Sequence, residues 1–225
     1  MGFEVGRDLN KTVNEIEKNK IVVIVRGVSR EKLIPLAEAM YNGGIRLLEC
    51  TYDASGKISD EEIAENIELL AKHFEGKMLI GAGTVLTKKQ VELTKKAGGK
   101  FIISPDTNPE IITFTKECVL VSIPGAITPT EVALANRAGA DFVKLFPIDL
   151  YGPSYIKALL APLSNVRVLA VGGINEENIK VYLEAGAVGV GVGTGIVNKK
   201  LIENNDFAGL TKLAEKYTNG LVCYT

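Results

Sequence analysis

Short apolar runs alternate with amphipathic segments along almost the whole chain. Eight runs are rich in valine, isoleucine and leucine and have the length of strands: Ile21–Val25, Ile45–Thr51, Met78–Ala82, Phe101–Ser104, Val119–Ile123, Phe142–Phe146, Val166–Val171 and Val188–Val192. The segments between them repeat apolar residues at helical spacing. This alternation is typical of βαβ units, whose strands form a parallel sheet.

The intervening segments also carry signals for the starts and ends of helices. Helices are predicted over Arg30–Tyr41, Asp60–Phe74, Lys88–Ala97, Pro129–Ala138 and Glu176–Ala185, with a further helix over Asp8–Lys18 ahead of the first strand. Thr128 precedes a proline and Asn175 precedes two acidic residues, so both are candidate N-caps. Glycine follows several of these helices directly before the next strand, as expected of a C-cap.

Eight strand–helix units in 225 residues predict a single-domain (β/α)8 TIM barrel over residues 1–225, with an extra N-terminal helix. An open, doubly wound sheet is the alternative α/β fold. A dinucleotide-binding sheet of that kind would carry G-x-G-x-x-G after its first strand, whereas Arg26-Gly27-Val28 stands there. The barrel is therefore favoured.

Charge and cysteine content exclude several classes of function. The 26 basic and 27 acidic residues leave a net charge of −1, so no nucleic-acid or membrane partner is predicted. Cys50, Cys118 and Cys223 are widely spaced and fit neither a disulfide framework nor a Cys-rich zinc site. The first residues lack an apolar signal core, and no apolar run approaches membrane-spanning length. A soluble, cytoplasmic protein is expected.

Lys144 interrupts the apolar sixth run, Ala-Asp-Phe-Val-Lys-Leu-Phe-Pro. A lysine with little water around it has a lowered pKa, and its neutral amine can attack a carbonyl to form a Schiff base. The alternative is a strand-end lysine that extends its amine to solvent.

In a barrel, catalytic groups lie at the carboxyl ends of the strands, where Arg26, Glu49 and Thr51 also fall. Because strand side chains alternate between faces, Glu49 and Thr51 share one face and Cys50 points outward. A buried salt bridge is the alternative role for Lys144 and Glu49.

Glycine-rich turns follow the last two predicted strands. Val171-Gly172-Gly173 ends the seventh, and the eighth continues into Gly191-Val192-Gly193-Thr194-Gly195. Loops at these positions form the recurrent phosphate site of barrels, because glycine lets backbone N–H groups approach phosphate oxygens. Tight turns without a ligand are the alternative.

These motifs together resemble the 2-keto-3-deoxy-6-phosphogluconate (KDPG) and 4-hydroxy-2-oxoglutarate (KHG) aldolase family, which includes 2-keto-3-deoxy-6-phosphogalactonate aldolases. The resemblance covers Ile21 to about Val197 and rests on Gly44-Ile45-Arg46-Leu47-Leu48-Glu49-Cys50-Thr51, Ile80-Gly81-Ala82-Gly83-Thr84-Val85-Leu86, Ile103-Ser104-Pro105, Ile123-Pro124-Gly125, Val143-Lys144-Leu145-Phe146-Pro147, Val171-Gly172-Gly173-Ile174 and Gly191-Val192-Gly193-Thr194.

The resemblance implies a class I aldolase that uses no metal or cofactor and works as a homotrimer. It makes Lys144 the Schiff-base lysine and Glu49 the general acid/base. Residues expected to bind a phosphorylated 2-keto acid substrate are Arg26, Thr51, Thr84, Pro105, Phe146, Gly172, Gly173, Gly193 and Thr194. The implied reaction is cleavage of KDPG to pyruvate and glyceraldehyde 3-phosphate, with KHG cleavage or the phosphogalactonate substrate as alternatives.

Two positions depart from the pattern of the family. Asp53 stands where many members have an arginine, and Arg26 is expected to replace that cation. Val171 replaces the threonine that is usual before the Gly-Gly pair in phosphogluconate enzymes. Other functions also remain open: a phosphosugar isomerase or epimerase would keep the glycine loops without an imine, and a non-catalytic barrel could sense a phosphometabolite.

Overall fold

In the computed structural model, nine parallel strands form one nearly closed barrel with helices between them. The structure describes the backbone of residues 2–221 and the side chains of residues 9–221, so Cys223 lies outside the described residues. The strands are β1 Ile21–Val25, β2 Leu47–Thr51, β3 Leu79–Gly83, β4 Phe101–Ile103, β5 Val121–Ile123, β6 Gly125–Ala126, β7 Val143–Leu145, β8 Val168–Val171 and β9 Gly189–Val192. The predicted (β/α)8 TIM barrel is confirmed.

The ninth strand, β6, was not predicted: it follows the predicted fifth strand, Val119–Ile123, directly after Pro124. Proline has no N–H for the ladder, so pairing is interrupted at that residue. β5 pairs with β4, and β6 pairs with β7 on the other side. The Pro124 carbonyl still accepts a hydrogen bond of 2.8 Å from the N–H of Lys144. The two short strands therefore occupy one barrel position.

The helices cover the outside of the barrel. They are α1 Gly2–Asn19, α2 Arg30–Asn42, α3 Asp60–His73, α4 Lys88–Lys96, α5 Pro109–Glu117, α6 Pro129–Arg137, α7 Pro153–Leu160, α8 Ile179–Glu184, α9 Lys199–Glu203 and α10 Phe207–Asn219, with a 3₁₀ turn at Ile148–Leu150. Thr128 caps α6 in a capping box with Glu131, as its sequence predicts. Among the described helices, none is long and apolar enough to cross a membrane.

One predicted N-cap is wrong. Asn175 does not begin a helix, because α8 starts only at Ile179. Its side-chain oxygen instead accepts hydrogen bonds from the N–H groups of Glu177 (3.0 Å) and Asn178 (2.9 Å). Asn residues commonly stabilise such turns by binding the backbone two residues on. The segment after the glycine pair is thus a turn before a short helix.

The buried apolar residues form two clusters, an inner cluster inside the barrel and an outer cluster between the strands and the helices. The inner cluster includes Val22, Leu47, Phe101, Phe142 and Leu169, and the buried α1 residues Val13 and Ile16 belong to it. Leu79 and Val188, at or just before the starts of β3 and β9, pack against this cluster. Helix α1 therefore closes the amino-terminal end of the barrel, and the carboxyl end is left open.

Candidate active site

A cavity of about 1040 Å³ opens at the carboxyl ends of the strands. Nine of the eleven residues predicted to form the site line it: Arg26, Thr84, Pro105, Lys144, Phe146, Gly172, Gly173, Gly193 and Thr194. Glu49 lies deeper, in a narrow inner cavity that Lys144 also lines. Thr51 borders neither cavity and instead contacts Glu49. The structure thus brings the predicted residues together around one opening.

Lys144 projects into the barrel from the middle of β7. Its neighbours Val143 and Leu145 are buried in the outer cluster, so strand alternation turns the lysine inward. Burial lowers the pKa of Lys144, and Arg26 lowers it further, while Glu49 raises it. Burial has the largest effect, and it favours the neutral amine that a nucleophile requires. The Nζ atom lies 5.1 Å from the centroid of the Phe146 ring.

Glu49 is almost completely buried on β2, with 1% of its surface exposed. Its Oε1 atom accepts a hydrogen bond of 3.1 Å from the Thr51 hydroxyl, and its Oε2 atom is buried without a hydrogen-bond partner among the described residues. Burial raises the pKa of Glu49, although Lys144, Thr51 and Arg26 each act to lower it. A carboxyl group with a raised pKa and a free oxygen can exchange a proton with a bound molecule. Cys50, as predicted, points outward into the other cluster.

Arg26 and Thr84 form one wall of the cavity. The exposed Arg26 follows β1, and its Nη2 donates a hydrogen bond of 3.2 Å to the Thr84 hydroxyl. Thr84 has φ 55°, a strained conformation for a β-branched residue. Such strain costs of order 1–3 kcal/mol and persists where the surroundings fix it, often in binding sites. The Arg26 guanidinium is suited to binding a carboxylate.

The glycine pair after β8 forms the opposite wall. Gly172 and Gly173 have φ values of 108° and 64°, which other residues rarely adopt. A methyl group on Gly173 would also lie 2.5 Å from the Cβ atom of Asp149. Gly193 and Thr194, after β9, line the same end of the cavity. This end of the barrel has the location and the glycine content of a phosphate site.

Asp53 has a local role that the sequence comparison did not suggest. Its carboxylate accepts hydrogen bonds from the N–H groups of Ser55 (2.9 Å), Lys57 (2.9 Å) and Ile58 (3.0 Å) and from the Ser55 hydroxyl. These bonds, chiefly those from Ser55, lower the pKa of Asp53 to about 2. The carboxylate thus orders the loop between β2 and α3, and the loop residue Ala54 borders the cavity.

Sequence reasoning missed several residues at the far end of the cavity. Ser29 and Lys32 from the start of α2, and Lys199 and Glu203 from α9, line it there. Their only sequence signal is their place after β1 and β9, where barrel loops gather. Within residues 9–221, no group of three or more His, Cys, Asp or Glu side chains has the arrangement of a metal site.

Comparison with known proteins places this geometry among aldolases. The family model described as "KDPG and KHG aldolase" matches residues 13–213. The chain is 31% identical to the 2-dehydro-3-deoxy-phosphogluconate aldolase of Haemophilus influenzae, over 91% of this chain and 93% of the relative. It is 32% identical to the 2-dehydro-3-deoxy-6-phosphogalactonate aldolase of Escherichia coli, over 80% of this chain and 85% of the relative.

A solved structure agrees with these relatives. The KDPG aldolase of Legionella pneumophila, with pyruvate captured as a covalent carbinolamine, is 30% identical and superposes with a TM-score of 0.78. The match covers 88% of this chain and 93% of the other. The barrel and its site are those of an aldolase, a carbon–carbon lyase. The chain belongs to the KDPG and KHG aldolase family.

Replacing the buried carboxyl with a neutral amide tests its electrostatic cost. The folded state holds the Glu49 proton more tightly than the unfolded chain does, so the wild-type free energy of unfolding falls as pH rises above 4.5. We expect Glu49→Gln to remove this loss, so that its free energy of unfolding relative to wild type increases between pH 4 and pH 7. Urea unfolding of both proteins at pH 4 and pH 7 measures the difference.

The exposed residue Glu92 provides the control. Glu92→Gln should leave the stability within about 0.5 kcal/mol of wild type at both pH values. A stability gap between Glu49→Gln and wild type that does not grow from pH 4 to pH 7 would contradict the raised pKa of Glu49.

Proposed function

We propose that this protein is a class I aldolase that cleaves KDPG through a Schiff base on Lys144. The observation that carries the proposal is the pair of Lys144 and Glu49. Both are turned into the barrel, both line the inner cavity, and burial shifts the pKa of each toward its neutral form. The relative that holds pyruvate as a carbinolamine supports the same chemistry. No metal or cofactor is needed, because the protonated imine itself accepts the electrons.

The reaction begins with attack of the neutral Lys144 amine on the C2 ketone, which gives a carbinolamine. Glu49 donates its proton to the carbinolamine hydroxyl, and loss of water produces a protonated imine and leaves Glu49 as a carboxylate. Glu49 accepts the proton of the C4 hydroxyl, the C3–C4 bond breaks, and its electron pair passes through C3 into the imine. Glyceraldehyde 3-phosphate leaves, and an enamine of pyruvate remains. Glu49 gives this proton to C3, which regenerates the protonated imine. Attack of water on the imine then releases pyruvate and restores the neutral lysine, and the proton set free in this step returns to Glu49. Each proton transfer by a positioned acid/base is typically worth about 10²–10⁴-fold in rate.

Substrate binding in this proposal uses both walls of the cavity. Arg26 binds the C1 carboxylate near Lys144, and Thr84, Pro105 and Phe146 enclose the carbon chain. Backbone N–H groups of Gly172, Gly173 and Gly193 and the Thr194 hydroxyl bind the phosphate. The same site could turn over KHG, which lacks the phosphate, to pyruvate and glyoxylate.

We propose a cytoplasmic location, which the free thiols of Cys50 and Cys118 support.

Trapping of the imine tests the proposal. Borohydride treatment with pyruvate should leave a reduced adduct on Lys144, identified by intact mass and peptide mapping. Lys144→Ala should lose the adduct and at least about 1000-fold in kcat, as removal of a covalent nucleophile does elsewhere. Lys157→Ala, which changes an exposed lysine on α7, should keep both. Absence of the adduct, together with turnover of a phosphosugar, would favour an isomerase or epimerase instead.

The substrate is tested by comparing KDPG, its phosphogalactonate epimer and KHG. We expect KDPG to have the highest kcat/KM and KHG to be at least about 100-fold poorer, since it leaves the phosphate donors unpaired.

Val171, 6% exposed, borders both cavities. Val171→Thr should shift preference between the two epimers about tenfold, whereas Val197→Thr, farther along the cavity, should not. Preference for the phosphogalactonate epimer in the wild-type protein would replace the proposed substrate with its alternative.

We also propose a homotrimer, supported by an apolar surface beside the cavity. Leu150 ends the 3₁₀ turn and Tyr151 follows it; they are 75% and 49% exposed, and Phe146 is 45% exposed. Exposed apolar patches of this kind commonly mark contacts between chains.

Light scattering should give three times the mass of one chain, and Leu150→Asp should reduce it to a monomer. Val181→Asp, on α8, should remain trimeric. A monomeric wild-type protein would refute this assembly.

A further inference from the structure

Two glycines on β3 face the side chains of neighbouring strands. Gly81 and Gly83 lie two residues apart, so both turn to the same face of the strand. In the parallel register, Gly81 is the partner of Glu49, and Gly83 is the partner of Thr51. Neither glycine has a positive φ, so the backbone itself does not require glycine at these positions. The reason for each glycine must lie in what occupies the space beside it.

The space beside Gly83 is filled by the carboxyl group of Glu49. A methyl group at position 83 would coincide with the Oε1 and Cδ atoms of Glu49 and would lie 2.6 Å from Cγ. Real Cβ atoms essentially never approach other atoms so closely, and here the neighbour is a buried side chain with little freedom to move. Alanine at position 83 would therefore require the carboxyl group to leave its present place.

Gly83 and Thr51 together fix the two oxygens of Glu49 in different roles. The Thr51 hydroxyl binds Oε1, the oxygen that lies over Gly83, and Oε2 is left without a partner. We propose that Gly83 is a positioning residue for catalysis: its missing side chain provides the space that holds the Glu49 carboxyl group with Oε2 free for proton transfer. This inference rests on the proposed role of Glu49 as general acid/base.

Gly81 offers a matched comparison on the same strand. A methyl group there would lie 2.6 Å from Cγ of Phe101 and closer still to the edge of its ring. The three atoms nearest to that methyl group all belong to Phe101, an apolar residue of the inner cluster, whereas those nearest to a methyl group at position 83 all belong to Glu49. Both substitutions overfill the barrel by one methyl group, but the overlap with the carboxyl group itself is that of Gly83→Ala. Gly220→Ala, with 3.4 Å to its nearest neighbour at the end of α10, is a neutral glycine control.

The first test is steric and does not depend on the reaction. Gly83→Ala and Gly81→Ala should each lower Tm by about 5 °C. When Glu49 is shortened to alanine, Gly83→Ala should lower Tm by less than about 2 °C, because the atoms that it would overlap are gone. Gly81→Ala should still cost about 5 °C in that background. A loss of Tm from Gly83→Ala that persists in the Glu49→Ala protein would overturn the proposal.

The second test is kinetic. Gly83→Ala should lower kcat for KDPG cleavage about 100-fold and change KM less than about threefold, because substrate binding does not use the glycine. It should cause no further loss beyond twofold in the Glu49→Ala background. Gly81→Ala and Gly220→Ala should stay within about threefold of wild-type kcat. Independent, multiplicative losses from Gly83→Ala and Glu49→Ala would refute a role through Glu49.

The two proposals fail in different ways. Wild-type protein that forms no borohydride-trapped adduct with pyruvate would refute the aldolase chemistry, whatever the Tm values show. An adduct in wild type, combined with normal kcat in folded Gly83→Ala, would refute the positioning role alone.

Discussion

Removal of water from Lys144 and Glu49 is the constraint on which the rest of the site depends. Burial is the largest effect on the pKa of both groups, and for each it exceeds the opposing effect of the other. A pair that simply neutralised itself would have a lysine with a raised pKa and a glutamate with a lowered one. The observed directions are the reverse. The barrel therefore favours the neutral forms, and a neutral amine and a carboxyl group that can release and regain a proton are what imine chemistry requires.

The barrel supplies this environment by the way its interior is filled. Its amino-terminal end is closed by α1 and the inner cluster, and Lys144 lines the cavity that opens at the carboxyl end. Large side chains such as Phe101 fit in the interior because glycine stands opposite them on β3. Two residues farther along β3, the missing side chain of Gly83 leaves space for Glu49 in the same way. The absence of two side chains on β3 thus makes room for Phe101 at one level and for the Glu49 carboxyl group at the next.

Local patterns predicted most of this arrangement. Strand alternation places Glu49 inside and Cys50 outside, and the order of apolar runs predicts the barrel. The separate strand β6 was not predicted, because the break at Pro124 is revealed only by the pairing of β5 and β6 with different neighbours. The roles of Thr51 and Gly83 could not be predicted from spacing, because both depend on where one carboxyl group lies. Lys32 and Lys199 are far apart in the chain and line one cavity only because the barrel closes.

The structure of the loop between β2 and α3 explains why position 53 holds an aspartate and not an arginine. Asp53 holds three backbone N–H groups of that loop, which a cationic side chain could not do, since it has no acceptor. An arginine is therefore incompatible with this particular loop structure. Arg26, on the neighbouring strand β1, reaches the same cavity and is fixed by Thr84. Because β1 and β2 are adjacent, a guanidinium that follows either strand can face this cavity; here Asp53 orders the loop after β2, and Arg26, after β1, is the cation to which the proposed function assigns the substrate carboxylate.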